Sequence, residues 1–340
     1  MKKTKRISKI TLTAIIVGLV FVCAFLALVI TNLFFPIKYF LAYLKRGQSI
    51  KDGELRVTFI DVGHGDCTLI ELPDGKTALI DCGDGAYKNV NTILTTLNSS
   101  GVDKIDYLIC TSVKEEHCGG FAEIMKYKTV SKAFIPYCKN TRISNGYYSL
   151  VNSIGKKNIE YSYIARGDGF YGDGYEYFLT FLSPASHLNS GGAYDDFNAE
   201  PTPTNTDNAS AVIWFEYENK AFVFSSDARK DALDAIIENY NFSIAVEQNF
   251  TNYNDYEVDL SKCEFVTVAG HGAEESACTE WYEVLEPKTA IVSVGKNYAG
   301  CPSATVITTV CNFADMYYTK YNGNVTVNYS GGETVLSKEK

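Results

Sequence analysis

The hydrophobic pattern changes character three times along the chain. An uncharged run, Ile10–Phe35 (ITLTAIIVGLVFVCAFLALVITNLFF), follows the basic start MKKTKRISK. It exceeds the roughly 20 apolar residues a helix needs to cross the hydrocarbon core, so it predicts one transmembrane helix over residues 10–35. The basic tail, residues 1–9, should stay in the cytoplasm and leave the C-terminal bulk outside. The expected protein is single-pass in the cell membrane with an extracytoplasmic domain. No small-residue cleavage site precedes a polar start, which favours an anchor over a removed signal peptide. Residues 36–53 read as a juxtamembrane linker, and residues 54–338 as the folded domain.

From Leu55 the pattern turns to strands. LRVTFIDV, CTLIEL and TALIDCG surround a Pro-Asp-Gly turn and predict a hairpin. NVNTILTTLNSSG has helical spacing and ends at Gly101, IDYLICTS is a near-continuous apolar strand, GGFAEIMKY starts a helix, and KAFIPY is another strand. About 140–205 is rich in Tyr, Gly, Asn and Asp, contains the strand-like YFLTFLSP, and reads as loops around a hairpin. Strands then resume in SAVIWFEYENKAFVFSSD, CEFVTVAGHG, TAIVSVGKN, GNVTVNYSGG and ETVLS. Helices are expected at ARKDALDAIIENY, ACTEWYEVLEP and SATVITTVCNFA. No internal repeat is visible. Two sets of strands with interleaved helices predict an α/β domain with sheet packed on sheet and helices outside.

Charge sharpens this picture. Eight of the 31 Lys and Arg and none of the 40 acids fall within residues 1–46, so the remainder stands near −17. Such a surface repels phosphate backbones, which makes nucleic acid an unlikely partner although a local basic patch is compatible with the average. There are ten cysteines and no C-x-x-C pair, so a zinc ribbon or thioredoxin-like site has no support. Cys67, Cys82, Cys110 and Cys263 lie in or beside strand-like runs and read as buried packing residues. Cys118 reads as exposed and redox-sensitive, and His187 as a solvated loop residue.

Polar turns follow apolar strands at Thr111–Gly120, Ser225–Asp227 and Gly270–Ala273. FIDVGHGD, LPDGKTALIDCG, IDYLICTSVKEEHCGG, NASAVIWFEY with FVFSSDA, VAGHGAEES and PKTAIVSVGKNYAGCPS occur in this order. Together they resemble the metallo-β-lactamase-fold superfamily, in the branch similar to the exported hydrolase domain of ComEC-type competence proteins, over about residues 55–310. The resemblance implies an αββα sandwich with metal ions at one edge of the two sheets.

That family's signature turn is T-H-x-H-x-D-H-x-G-G. Thr111, His117, Gly119 and Gly120 match it, whereas Ser112 and Lys114 stand at the two first histidines and Glu116 at the aspartate. A serine hydroxyl is a poor ligand, and an ammonium carries positive charge where a cation should sit. The remaining half of the site, by resemblance, is Glu116, His117, Asp227 and His271, a donor set that suits Zn, Mn or Fe. The expected cofactor is one Zn or Mn ion or none, with His117 and Asp227 catalytic if the chain is active. His64 replaces the family's glutamine in DVGQGD, and Cys301 stands where a histidine often does. With Asp66, Ser112 and Lys114 they are candidates for the edge of the site. Asp66 and Asp81 also read as framework acids that hydrogen-bond loops, and Lys114 as a partner for Glu116 or Asp227. Ser112 as a nucleophile has no supporting G-x-S-x-G elbow. Two readings follow. One is a catalytically degenerate binding or scaffold domain. The other is a metal-dependent, phosphodiesterase- or nuclease-like hydrolase with a reduced single-metal site.

Overall fold

The computed structural model describes residues 9–34, 47, 49–137, 143–172, 174, 177–184, 207, 209–239, 258–297 and 299–340. His187 and most of the linker lie outside them. Helix α1 covers Lys9–Phe34, and of its side chains those of residues 13–29 are described. Among the described residues no helix is long and apolar enough to cross a membrane.

The domain begins with β1 (Leu55–Phe59), β2 (Thr68–Glu71) and β3 (Thr77–Ile80), followed by α2 (Tyr87–Ser99) and β4 (Lys104–Ile109). Two short helices, α3 (Glu115–Cys118) and α4 (Phe121–Tyr127), lead to β5 (Thr129–Ile135), α5 (Asn145–Lys157) and β6 (Glu160–Tyr163). The second half holds β7 (Gly169–Tyr171), β8 (Tyr177–Phe181), β9 (Ile213–Tyr217), β10 (Lys220–Phe224), α6 (Lys230–Asn239) and β11 (Cys263–Thr267). It continues through α7 (Thr279–Leu285), β12 (Thr289–Val292), α8 (Ala304–Cys311), β13 (Asp315–Tyr318) and α9 (Thr319–Asn322) to β14 (Val325–Ser330) and β15 (Glu333–Lys338).

The strands form two sheets, in the orders β15-β14-β1-β2-β3-β4-β5-β6 and β13-β12-β11-β10-β9-β8-β7. Each contains antiparallel strands continued by four parallel ones: β3 to β6 in the first, β10 to β13 in the second. Parallel neighbours need crossovers, and the helices supply them. Three apolar clusters show the layering. Phe59, Phe134, Phe181, Phe215, Phe222 and Phe224 belong to the layer between the sheets. Leu94, Leu97, Phe121, Ile124 and Leu150 lie under α2, α4 and α5 on the first sheet. Trp214, Leu233, Trp281 and Leu285 lie under α6 and α7 on the second. The α/β architecture is therefore the αββα sandwich expected from the sequence.

Several elements depart from that expectation, helix α5 and strand β13 among them. Helix α5 occupies a stretch read as loop, because its buried positions are only Gly146, Tyr147, Leu150 and Ile154 amid polar residues. Its start is set by Ser144, whose hydroxyl accepts the Tyr147 amide proton, and its end by Asn158 in the left-handed region. Strand β13 was also not marked by its sequence, since Asp-Met-Tyr-Tyr at a sheet edge carries no clean alternation.

The Phe215 ring sits 6.0 Å from both Tyr177 and Phe222 in the inter-sheet layer and is fully buried. Phe215→Ala should cost about 3–5 kcal/mol, read in urea unfolding as a lower midpoint with an unchanged slope.

Candidate metal centre

The parallel strands of both sheets end at the same edge, and their C-terminal ends carry the polar residues. Asp81 follows β3, Thr111 follows β4, Ser225–Asp227 follow β10, His271 lies beyond β11 and Ser293 follows β12. The two sheets are stitched there by the backbone, Ala211 N–H donating to Thr111 O at 2.8 Å. Asp81, Ser226 and His271 have φ of 56°, 47° and 55°. Left-handed backbone is costly for residues with a side chain, and its concentration at these turns marks a functional edge.

The His117 imidazole is wholly buried at the centre. Helix α3 turns His117 and Cys118 inward and leaves Glu115 and Glu116 more exposed. Close backbone contact holds this turn, since a Cβ on Gly120 would lie 2.2 Å from Cys82 O. His117 Nδ1 meets Asp81 Oδ2 at 2.8 Å, and Asp81 also accepts from the Thr111 amide at 2.7 Å and its hydroxyl at 2.5 Å. On the other side, His117 Nε2 lies 3.0 Å from Asp227 Oδ2 without completing a directed hydrogen bond. His271 donates from Nδ1 to Ser293 O at 2.8 Å, which leaves its Nε2 as a lone pair, 3.5 Å from Asp227 Oδ1.

Lys114 reaches across to the second sheet. Its Nζ lies 2.9 Å from Asp227 Oδ2 and 2.5 Å from Asp207 Oδ1. Arg229 donates to the same Asp207 through Nε at 2.6 Å and Nη2 at 2.5 Å. Burial works against the Lys114 charge, but Asp227 and Asp207 outweigh it and raise the pKa. Burial likewise pulls His117 down, but Asp227 and Asp81 win and lift it well above the usual histidine range. Asp227 is pushed up by burial and pulled further down by His117, Lys114 and His271, ending well below the usual carboxylate range. Asp81 stays raised, burial exceeding the help of His117 and Thr111.

The residues named from sequence fall into three groups. Asp66, His117 and His271 present ligand atoms all within 4.8 Å of one another, and Asp227 faces both histidines. Glu116 is not in that group. Its carbonyl oxygen accepts from Asp66 N at 3.2 Å, and its carboxylate acts on the site only through its charge on His64. Ser112 is buried with its hydroxyl turned to the Lys114 amide at 3.4 Å, and Lys114 pairs with Asp227. Cys301 is half-buried at the rim, its thiol pKa raised by burial with Glu275 and Asp227 adding to it. His64 rests on His271 with ring centroids 4.5 Å apart, its pKa lowered by burial and by His271.

Cys118 corrects an expectation. It is fully buried rather than exposed, its thiol donating to Lys114 O at 2.9 Å, because it shares the inward face of α3 with His117. Asp207, Arg229 and Ser226 were not anticipated. Asp207 precedes a strand after a Thr- and Asn-rich stretch without periodicity, and only the fold brings it to Lys114.

The donors fit a single metal ion. His271 Nε2 is buried with no hydrogen-bond partner, which is uncommon for buried polar atoms and consistent with an outside ligand, while Asp227 Oδ2 is shared between His117 Nε2 at 3.0 Å and Lys114 Nζ at 2.9 Å. The observed 3.0 and 3.5 Å separations bracket the spacing of about 3.4 Å between ligands around tetrahedral zinc at about 2.1 Å. Asp81 and the Ser293 carbonyl hold the opposite ring nitrogens, an arrangement that orients metal-ligating histidines. Beside these donors the Lys114 ammonium stands against Asp227 and Asp207.

No family model matches the chain. It is 23% identical over 266 residues to ComE operon protein 3 of Bacillus subtilis (strain 168), covering 72% of this chain and 29% of that protein. The chain thus spans less than a third of that curated relative's length. Among solved structures, YhfI of Bacillus subtilis, a metallo-β-lactamase-fold protein, matches 79% of this chain and 98% of its own, with 9% identity and a TM-score of 0.45. Zinc-bound PqqB of Methylobacterium extorquens matches 77% and 87%, with 10% identity and a TM-score of 0.43. A mutant of the CmlA beta-hydroxylase matches 81% and 54%, with 10% identity and a TM-score of 0.47.

A raised His117 pKa means that the metal-free site holds a proton where an ion needs a lone pair. Metal uptake at neutral pH should release about one proton, measurable by titration calorimetry in buffers of different ionisation enthalpy. Affinity should accordingly fall about tenfold for each pH unit lost below the His117 pKa. Uptake without proton release would contradict this account of His117.

The chain is a two-sheet α/β sandwich that is similar in sequence to ComE operon protein 3 of Bacillus subtilis over 72% of its length.

Proposed function

We propose that this chain is a membrane-anchored, extracytoplasmic metallo-β-lactamase-like domain that binds rather than hydrolyses, with a reduced centre for one transition metal ion. The observation that carries the reading is the Lys114 ammonium, 2.9 Å from Asp227 and 2.5 Å from Asp207. Two-metal hydrolases clamp the attacking and leaving oxygens between ions and draw a nucleophilic hydroxide from a coordinated water. An ammonium supplies charge but no coordination position, so it does not acidify water.

Charge balance points the same way. Asp81, Asp207 and Asp227 are offset by His117, Lys114 and Arg229 without any ion. One divalent ion replacing the His117 proton adds a single net positive charge, which the partly exposed Asp66 carboxylate offsets. A second divalent ion would in addition have to sit against the Lys114 ammonium, which already occupies the open side of Asp227 and Asp207, and like charges in a buried site are costly.

His117, His271 and Asp227, with Asp66 beside them, would hold the ion, and zinc or manganese suits this donor set. The ion would supply Lewis acidity there. Asp81 and Ser293 orient the two imidazoles, while Lys114 offers its remaining donor capacity to an anionic group entering the edge. Anchoring rests on the apolar run Ile10–Phe35 after five basic side chains, with α1 over Lys9–Phe34.

A second reading, a metal-dependent hydrolase acting on phosphodiesters from a single-metal site, is favoured by the buried, unpartnered Nε2 of His271 beside His117 and Asp227. The detergent-solubilised chain reconstituted with zinc or manganese should hold about one equivalent of metal, lost in the His117→Ala, Asp227→Ala double variant, and should leave bis(p-nitrophenyl) phosphate intact. Turnover that disappears in the double variant would establish the hydrolase reading instead, and absence of metal under all loading conditions would remove the metal from both. Protease added to intact cells should digest the domain, and its survival would overturn the orientation.

A further inference from the structure

We propose that Arg166 is an anion-recognition residue at the outer end of the same sheet edge, its guanidinium fork taking a phosphate or carboxylate group of a bound ligand. The inference goes beyond the metal reading and stands whether or not the centre holds an ion.

Arg166 follows β6, the last of the four parallel strands of the first sheet. Its turn is docked on the end of β8 in the second sheet. Arg166 N donates to Pro184 O at 2.9 Å, Gly167 N to Phe181 O at 2.9 Å, and Arg166 Nε to Leu182 O at 3.0 Å. Leu182 N in turn donates to Val212 O at 2.7 Å, and the neighbouring Ala211 N to Thr111 O at 2.8 Å. Each of these two steps spans roughly 5 Å, about one strand spacing, so the carbonyl that holds Arg166 lies on the order of 10 Å from Thr111 along the edge. Asp207, just before Ala211 and Val212, holds the Lys114 and Arg229 cations. Lys114, Arg229 and Arg166 are thus ranged beside one stretch of backbone.

What separates Arg166 from the other two is its missing counter-charge. Of the three arginines among the described residues, Arg56 pairs with Glu71 and Arg229 with Asp207, whereas Arg166 pairs with no described carboxylate. It is half-buried, and burial pulls its pKa down with no acid acting against it. In a domain that stands near −17, a half-buried cation without an acid is out of character. Removing a charge from water is costly unless a partner returns the interaction.

The guanidinium is also oriented for such a partner. Its Nε is committed to Leu182 O, which fixes the plane of the group and leaves the Nη1 and Nη2 end for two parallel hydrogen bonds. Phosphate and carboxylate present the matching pair of oxygens. Bracing the end of β8 needs only Nε, so the charged fork beyond it is surplus to a structural role.

The test uses the full-length chain in detergent, with a chelator present so that no metal contributes. The probes are inorganic phosphate and acetate at constant ionic strength. Phenylglyoxal, which condenses with accessible guanidinium groups, is followed residue by residue by peptide mass mapping. At least one of the two anions should slow modification of Arg166 by about threefold or more and leave Arg56 and Arg229 unchanged. Protection by phosphate alone identifies a phosphate-type group, and protection by acetate alone a carboxylate. Arg166→Lys keeps the charge and loses the fork, so calorimetric affinity for the protecting anion should fall at least about tenfold. Thermal unfolding checks that the variant folds, and the protection experiment needs no variant. Equal protection of all three arginines, no protection at Arg166, or undiminished binding by Arg166→Lys overturns the proposal. Because no metal is present, that failure and a failure of the metal reading are read separately.

Discussion

The edge of this sandwich is organised around one buried imidazole. His117 is held by Asp81 of the first sheet on one nitrogen and faces Asp227 of the second sheet with the other. A ring with no exposure between two carboxylates is tolerable only if something positive sits among them. In the protein as described that positive charge is a proton on His117, and a metal ion is the alternative that the same atoms accept. The surrounding turns follow from this need. Thr111 supplies two donors to Asp81, Ser226 bridges to Thr111 at 2.6 Å, and left-handed backbone at Asp81, Ser226 and His271 brings the three turns to one place.

Lys114 solves the same electrostatic problem at the neighbouring position by a different route. A mobile cation would have to be captured from solution, whereas the ammonium is covalently tethered and arrives with folding. It ties the 111–120 turn of the first sheet to Asp207 and Asp227 of the second, and Arg229 completes the network. Removing one member of such a network leaves charge buried without a partner, which commonly costs about 3–5 kcal/mol.

Much of the fold was legible because strands buried on both faces write continuous apolar runs. IDYLICTS and FVFSSD each end in the turn that carries a site residue. The loss of the first histidine pair was legible as well, through the spacing of Ser112, Lys114, Glu116 and His117 against a known turn. What stayed hidden depended on three-dimensional adjacency. Asp207 and Arg229 lie 93 and 115 positions after Lys114, and no local pattern announces that they share a salt-bridge network. Helix α5 escaped notice because its apolar face is only one residue wide per turn over most of its length. Cys118 was misplaced because a four-residue helix has no periodicity to show which way it faces.

The position of Glu116 shows most directly where pattern-matching stops. It occupies the aspartate slot of the turn, yet it is Asp66, from a different strand end, that completes the group of donors with His117 and His271. One added methylene moves a carboxylate by more than an ångström, which is a large fraction of a metal–ligand distance of about 2.1 Å. Ligand identity is therefore decided by reach and direction, not by alignment column. Reach also explains Lys114, whose side chain crosses from the 111–120 turn to Asp207 and Asp227 of the second sheet and so shares with His117 the carboxylate that faces both.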